Sequence, residues 1–110
     1  MMTLYLILSD GNIREIDEII QLANDRKWCA SNALFTVDEI AFFPAYDIMK
    51  NNYVFAVNNA RNTNKIIYNL AEDKMIQSSM SDYSYKKFIK ILANNRNRIL
   101  KESEGVTASA

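Results

Sequence analysis

The sequence predicts an α+β fold: a single domain in which a small antiparallel sheet is packed by an N-terminal and a C-terminal amphipathic helix. Three observations predict it. Residues 3–8, 53–57 and 65–70 are short apolar runs rich in β-forming side chains, each bounded by turn-forming residues. Two stretches, one in each half, repeat apolar residues at helical spacing. The chain has 110 residues, 49% hydrophobic and 24% charged, which is the size and composition of one globular domain.

Taken in order, residues 3–8 (TLYLIL) read as a buried strand that Ser9, Asp10 and Gly11 close. The apolar start lacks a basic leader, so it reads as a strand and not as a signal peptide. Asp10 or Asn12 caps the next element. Ile13, Ile16, Ile19, Ile20 and Ala23 share one face, opposite Arg14, Glu15, Asp17, Glu18 and Gln21, which predicts an amphipathic helix over residues 12–27. Thr36 and Glu39 fit a capping box, and the short helix they would open ends at Pro44, because proline disfavours helical geometry in Phe43. Residues 45–50 read as another turn. The strands at 53–57 (YVFAV) and 65–70 (KIIYNL) flank an Asn-rich hairpin loop, and a third short strand at 74–78 comes after a turn at Glu72 and Asp73. Ser81 or Ser84 opens the last helix, which buries Tyr85, Phe88, Ile89, Leu92, Ile99 and Leu100. Arg96 falls inside that apolar arc, so its stem snorkels or the helix bends near Asn94 and Asn95. The domain is expected to span residues 1–103, with residues 104–110 a disordered tail.

Composition excludes much chemistry. No histidine is present, which removes the commonest general base and metal ligand. The single cysteine, Cys29, forms no internal disulfide and suits a reducing compartment, so a cytoplasmic location is expected. It reads as a small buried hydrophobe beside Trp28. Gly11 and Gly105 are the only glycines, so no glycine-rich phosphate loop exists. No run approaches the roughly 18 apolar residues of a membrane helix. The acidic residues Asp10, Glu15, Asp17 and Glu18, joined by Asp38 and Glu39, are a conceivable carboxylate or hard-metal cluster, but they read better as a solvated polar face. The expectation is therefore no catalytic residue, no metal and no cofactor. The aromatic set Phe42, Phe43, Tyr46, Tyr53 and Phe55 reads as core, or in part as an exposed anchor for a partner.

Charge is distributed unevenly. Thirteen basic and thirteen acidic residues cancel, yet residues 1–60 hold four Lys/Arg against eight Asp/Glu and residues 61–110 hold nine against five. Such polarity can orient a partner without strong non-specific binding to nucleic acid. The candidate partner-binding residues are Glu15, Asp17 and Glu18 on the first helix and Lys86, Lys87 and Lys90 on the last.

Strand YVFAV, an Asn-rich turn, strand KIIYNL and then Ser84 to Leu92 (SYKKFIKIL), preceded by Phe43-Pro44 and Tyr46-Asp47, resemble the SUKH superfamily over residues 42–92. Its members end in antiparallel strands and a helix opened by a Ser-aromatic-x-x-Phe-Leu motif. The first half departs from that pattern, lacking the family's opening helix and glycine-rich element. The resemblance implies helices packed on an antiparallel sheet and a role as an immunity protein that neutralises a toxin by binding, with no catalytic residues carried over.

The reading is a non-catalytic protein that inhibits or neutralises a partner protein, as a toxin immunity protein or phage-type inhibitor does. The alternative is a small nucleic-acid-binding protein using the basic face of the last helix, with Arg61, Lys65, Arg98 and Lys101 extending the patch along phosphates.

Overall fold

The computed structural model describes residues 2–24, 30–59 and 61–108. It places seven strands in one antiparallel sheet with a helix on each face. The strands are β1 (Tyr5–Ile7), β2 (Ile13–Glu15), β3 (Phe35–Val37), β4 (Ile40–Tyr46), β5 (Asn52–Asn58), β6 (Arg61–Asn69) and β7 (Lys74–Ser78). The helices are α1 (Ile16–Asn24) and α2 (Asp82–Ala108), with a 3-10 turn at Ala30–Asn32. Strand order is β2-β1-β4-β5-β6-β7, and β3 also pairs with β4. The α+β class with a helix from each half is as the sequence predicts.

Four strands depart from the sequence reading: β6 begins at Arg61, inside the expected Asn-rich loop, and β2, β3 and β4 each depart for a local reason. Ile13–Glu15 is not the first turn of a helix. Gly11 adopts φ 86, and both oxygens of Asp10 accept hydrogen bonds from Asn12, at 2.9 Å from its backbone and 2.8 Å from its amide. Asp10 therefore closes a turn instead of capping a helix, and Ile7 faces Ile13 across a hairpin. Helix α1 begins only at Ile16, whose N–H donates to the Leu4 carbonyl at 2.9 Å. The isoleucine spacing is helical in appearance, but Ile13 is exposed while Ile16 and Ile19 are buried.

Thr36 caps nothing. Asp38 (φ 48) and Glu39 (φ 75) are both left-handed, the signature of a two-residue hairpin turn that pairs Val37 with Ile40. Beyond it runs β4, in place of the helix ending at Pro44 that the capping pattern predicts. Proline is tolerated in β4 because of where it falls. On that edge β3 pairs as far as Phe42 and β1 takes over at Ala45, so Pro44 lies in the gap and faces only Val54 of β5.

All seven residues of β4 are buried because both of its faces are covered. Ala41, Phe43, Ala45, Tyr53, Phe55 and Val57 point to α1, meeting Ile16 and Ile19. Ile40, Phe42, Val54, Ala56, Ile66, Tyr68 and Leu70 point to α2, meeting Phe88, Ile91, Leu92 and Ile99. Phe88 is fully buried, its ring 5.5 Å from Phe42 and 5.8 Å from Tyr68. Complete burial of one such ring contributes roughly 2–3 kcal/mol. Ser81 is the N-cap of α2: its hydroxyl accepts from the Ser84 N–H at 3.2 Å, and its carbonyl from Tyr85 N–H at 2.9 Å. The buried Ser84 in turn accepts from the Asn58 amide at 3.2 Å, fixing the helix start to the end of β5. The helix continues past Glu104 to Ala108, where the sequence pattern predicts a tail. No helix among the described residues is long and apolar enough to cross a membrane.

Candidate functional site

The predicted charged residues do not form one patch. Asp17 and Glu18 ride on α1, while Lys86, Lys87 and Lys90 ride on α2, with the sheet between the two helices. Glu15 lies on the β2 edge opposite Tyr5, half-buried in a shallow basin of about 660 Å³ that Ile13, Glu18 and Tyr46 also line. Glu18 pairs with Arg14 at 3.4 Å, and both side chains are more than half exposed. That is an exposed ion pair between β2 and the first turn of α1, worth about 0–1 kcal/mol.

The basic set divides too. The Lys87 ammonium sits 4.6 Å from the centre of the Tyr83 ring. Its hydrogen bond with Tyr83, then the charges of Asp38 and Glu39, hold its pKa above the ordinary lysine value. The Arg98 guanidinium lies 4.6 Å from the Phe35 ring centre. These two cations therefore lean toward the β3–β4 hairpin, leaving Lys86, Lys90 and Lys101 on the exposed side of α2. Lys65 projects to the α1 side of the sheet, lining a cleft with Ile20, Phe55, Ile67 and Gln77, so it does not extend the α2 stripe. Arg61 opens β6, and Trp28 and Cys29 lie outside the described residues. The acidic candidates are scattered as well: among the described residues no three Asp, Glu or Cys side chains converge.

A different feature stands out at the end of the sheet where β4 turns into β5. Ile48 and Met49 are 86% and 75% exposed, the two most exposed of the large apolar side chains described. A flexible loop would let them fold back, but this turn is held from inside by Asp47, itself 8% exposed. One Asp47 oxygen accepts the N–H groups of Met49 and Asn51 at 3.0 Å each; the other accepts the Asn51 amide at 3.2 Å and the Tyr53 hydroxyl at 3.3 Å. Lys50 takes φ 64 and returns its N–H to the Asp47 carbonyl at 3.0 Å. Burial pushes the Asp47 carboxyl up, but the hydrogen bonds from Asn51, Tyr53 and Met49 outweigh it and hold its pKa below the ordinary carboxylate value. Burial, then the Asp47 charge, push the Tyr53 hydroxyl up, so it remains a donor.

Charged and aromatic side chains surround this exposed pair. Lys50 Nζ lies 4.3 Å from the Tyr46 ring centre, and Tyr46 stacks on the partly exposed Tyr5 at 5.7 Å. The tip is thus an apolar pair with a cation, two tyrosines and, beyond the tyrosines, the basin lined by Arg14, Glu15 and Glu18. That is the composition of an interface centre with a polar rim. The aromatic candidates Phe42, Phe43, Tyr46, Tyr53 and Phe55 are all buried: Tyr46 and Tyr53 contact the turn through Lys50 and Asp47, while the three phenylalanines belong to the cores on the two faces of the sheet. The sequence does carry a signal: Ile48-Met49 is an apolar pair enclosed by Asp47 and by Asn51-Asn52, which are turn formers. No family model, curated protein or solved structure matches the chain.

Proposed function

We propose that this chain is a cytoplasmic, non-catalytic binding protein that neutralises a partner protein by covering it, as an immunity protein or phage-type inhibitor does. The observation that carries the reading is the clamped β4–β5 turn, which holds Ile48 and Met49 out in water. Exposing two large apolar side chains on a fixed backbone gives the isolated fold nothing. Inserted into a pocket of a partner, they bury with little loss of backbone entropy. The single cysteine suits a reducing compartment, and the resemblance of residues 42–92 to the SUKH superfamily points to the same class of role.

The test is capture of the partner from the native host by the tagged chain, with and without nuclease and raised salt, using wild type and an I48D/M49D variant. One protein captured in equimolar ratio, unaffected by nuclease and losing about thirtyfold or more in affinity with the variant, is the expected result; truncating an interface hot spot removes about 2 kcal/mol or more. One equivalent of the chain then lowers the partner's activity. Capture that vanishes with nuclease or modest salt overturns the reading in favour of nucleic-acid binding through Lys86, Lys90 and Lys101. Capture unchanged in the variant removes the tip from the interface.

A further inference from the structure

Independently of the β4–β5 tip, we propose that the cleft between α1 and the end of the sheet at β7 binds a small monocarboxylate with an apolar body, and that Lys65 is its counter-ion. The cleft follows from the lengths of the elements around it. Helix α1 has nine residues and ends at Asn24, and the core on its face of the sheet takes in β1, β4 and β5. Ile20 of α1 and Ile67 of β6 lie at the margin of that core and are only partly buried. Between them opens a cleft of about 210 Å³, lined also by Phe55, Lys65, Gln77 and Ser79.

Strand register arranges these walls. Phe55, Ile67 and Gln77 are direct neighbours across β5, β6 and β7, so an apolar floor leads to an amide at the outer strand. Lys65 lies two residues before Ile67 on β6 and therefore on the same face. Its backbone is held by Ser79, whose N–H donates to the Lys65 carbonyl at 2.9 Å and whose hydroxyl accepts the Lys65 N–H at 3.1 Å. The base of the lysine is thus fixed at one end of the floor.

The chemistry of the lining selects the ligand. An apolar side chain at position 65 would extend the α1 core, since its neighbours on that face, Val57 and Ile67, already pack in it. A half-buried lysine stands there instead. Among the described residues no Asp or Glu lines the cleft, and the ion pairs, Arg14 with Glu18 and Arg96 with Asp73, lie elsewhere. The ammonium has no counter-ion from the chain, and an anion bound above the floor would supply one. One cation balances a single charge, which favours a carboxylate over a phosphate dianion. Volume sets the apolar body: an enclosed apolar cavity of about 150 Å³ accepts benzene, so this cleft accommodates one six-membered ring and a carboxylate.

Titration of the full, isotope-labelled chain with benzoate, followed through its amide chemical shifts, tests the proposal. The amides of Ile20, Ile67 and Gln77 should move together and saturate with a Kd of about 0.1–10 mM, the range that so small a ligand supports. Benzyl alcohol, with nearly the same body and no charge, should move the same amides but bind about tenfold more weakly. Lys65→Met keeps an unbranched apolar stem and removes the charge. It should weaken benzoate by about tenfold and leave benzyl alcohol unchanged. Benzoate should also raise the thermal unfolding midpoint of wild type more than that of Lys65→Met, and circular dichroism checks that the variant folds. Cleft amides that stay still up to about 20 mM benzoate, benzyl alcohol that binds as tightly as benzoate, or a Lys65→Met variant that binds benzoate as wild type does each overturn the proposal.

Discussion

Two neighbouring turns at one end of the sheet solve the same problem in opposite ways. The β6–β7 turn is fastened to a helix: Arg96 of α2 donates to the Leu70 carbonyl and bridges Asp73 at 2.6 Å, and Leu70 itself is fully buried. The β4–β5 turn is fastened to itself and to Tyr53 through the buried Asp47 carboxylate, and its apolar residues face water. Yet the two are adjacent, joined by the Leu70 N–H donating to the Asn52 carbonyl at 3.0 Å. The first turn points its apolar residue inward and uses charge on the outside, which serves stability. The second places its charge on the inside and shows its apolar residues outside, which does nothing for the isolated fold and is what the proposed binding role would use.

The contrast between the turns is most vulnerable at Asp47. Replacing it with alanine removes an ionised acceptor of four hydrogen bonds and leaves the Tyr53 hydroxyl without that partner, so urea unfolding should show a loss of about 2–3 kcal/mol. The same carboxylate makes stability depend on pH. Its folded-state pKa is lowered, so its contribution is fully present above the ordinary carboxylate value of about 4 and is lost as pH falls through the lowered value. Wild type should therefore lose its urea midpoint faster than Asp47→Asn below about pH 4. Parallel curves for the two would show that the clamp does not set the turn.

Arg96 is the smaller break. Arg96→Ala should lose about 1–2 kcal/mol, most of it from the charged hydrogen bond to the Leu70 carbonyl. Asp73→Asn keeps a residue that accepts φ 50 and removes only the ion pair, whose Asp73 side is 63% exposed. A loss within about 0.5–1 kcal/mol is expected there. If Asp73→Asn matched Arg96→Ala, the ion pair and not the carbonyl contact would be the fastening.

Legibility in the sequence differs between the same two turns. The turn at Glu72 and Asp73, the strands beside it and the helical face of Phe88, Leu92 and Ile99 are readable, because each rests on local periodicity and turn chemistry. Arg96 is visible as an anomaly in the apolar arc, though its partner at Leu70 is not. Around the other turn, β4 escapes the sequence reading because Pro44 forbids a helix but permits a strand only where the neighbouring ladder is interrupted, and that gap between β3 and β1 is a tertiary fact. Asp38 and Glu39 likewise favour a cap over a left-handed hairpin, since glutamate seldom takes positive φ. The charged candidates are legible as residues and not as a site, because their separation onto opposite layers comes from topology alone.

The tip itself gives the smallest effect on stability and the sharpest test of the contrast. Ile48 and Met49 bury almost no surface in the fold, so the I48D/M49D variant should unfold within about 0.5 kcal/mol of wild type. The matching change at the other turn, Leu70→Asp, places a charge where the side chain is fully buried and should prevent stable folding. Stability alone then separates the two turns, while partner capture responds to the tip without any loss of fold. If I48D/M49D instead lost about 2 kcal/mol or more, the size of the Asp47→Ala loss, those side chains would be holding the turn together. Their exposure would then be part of how the hairpin folds, and the division between a turn for stability and a turn for contact would fail.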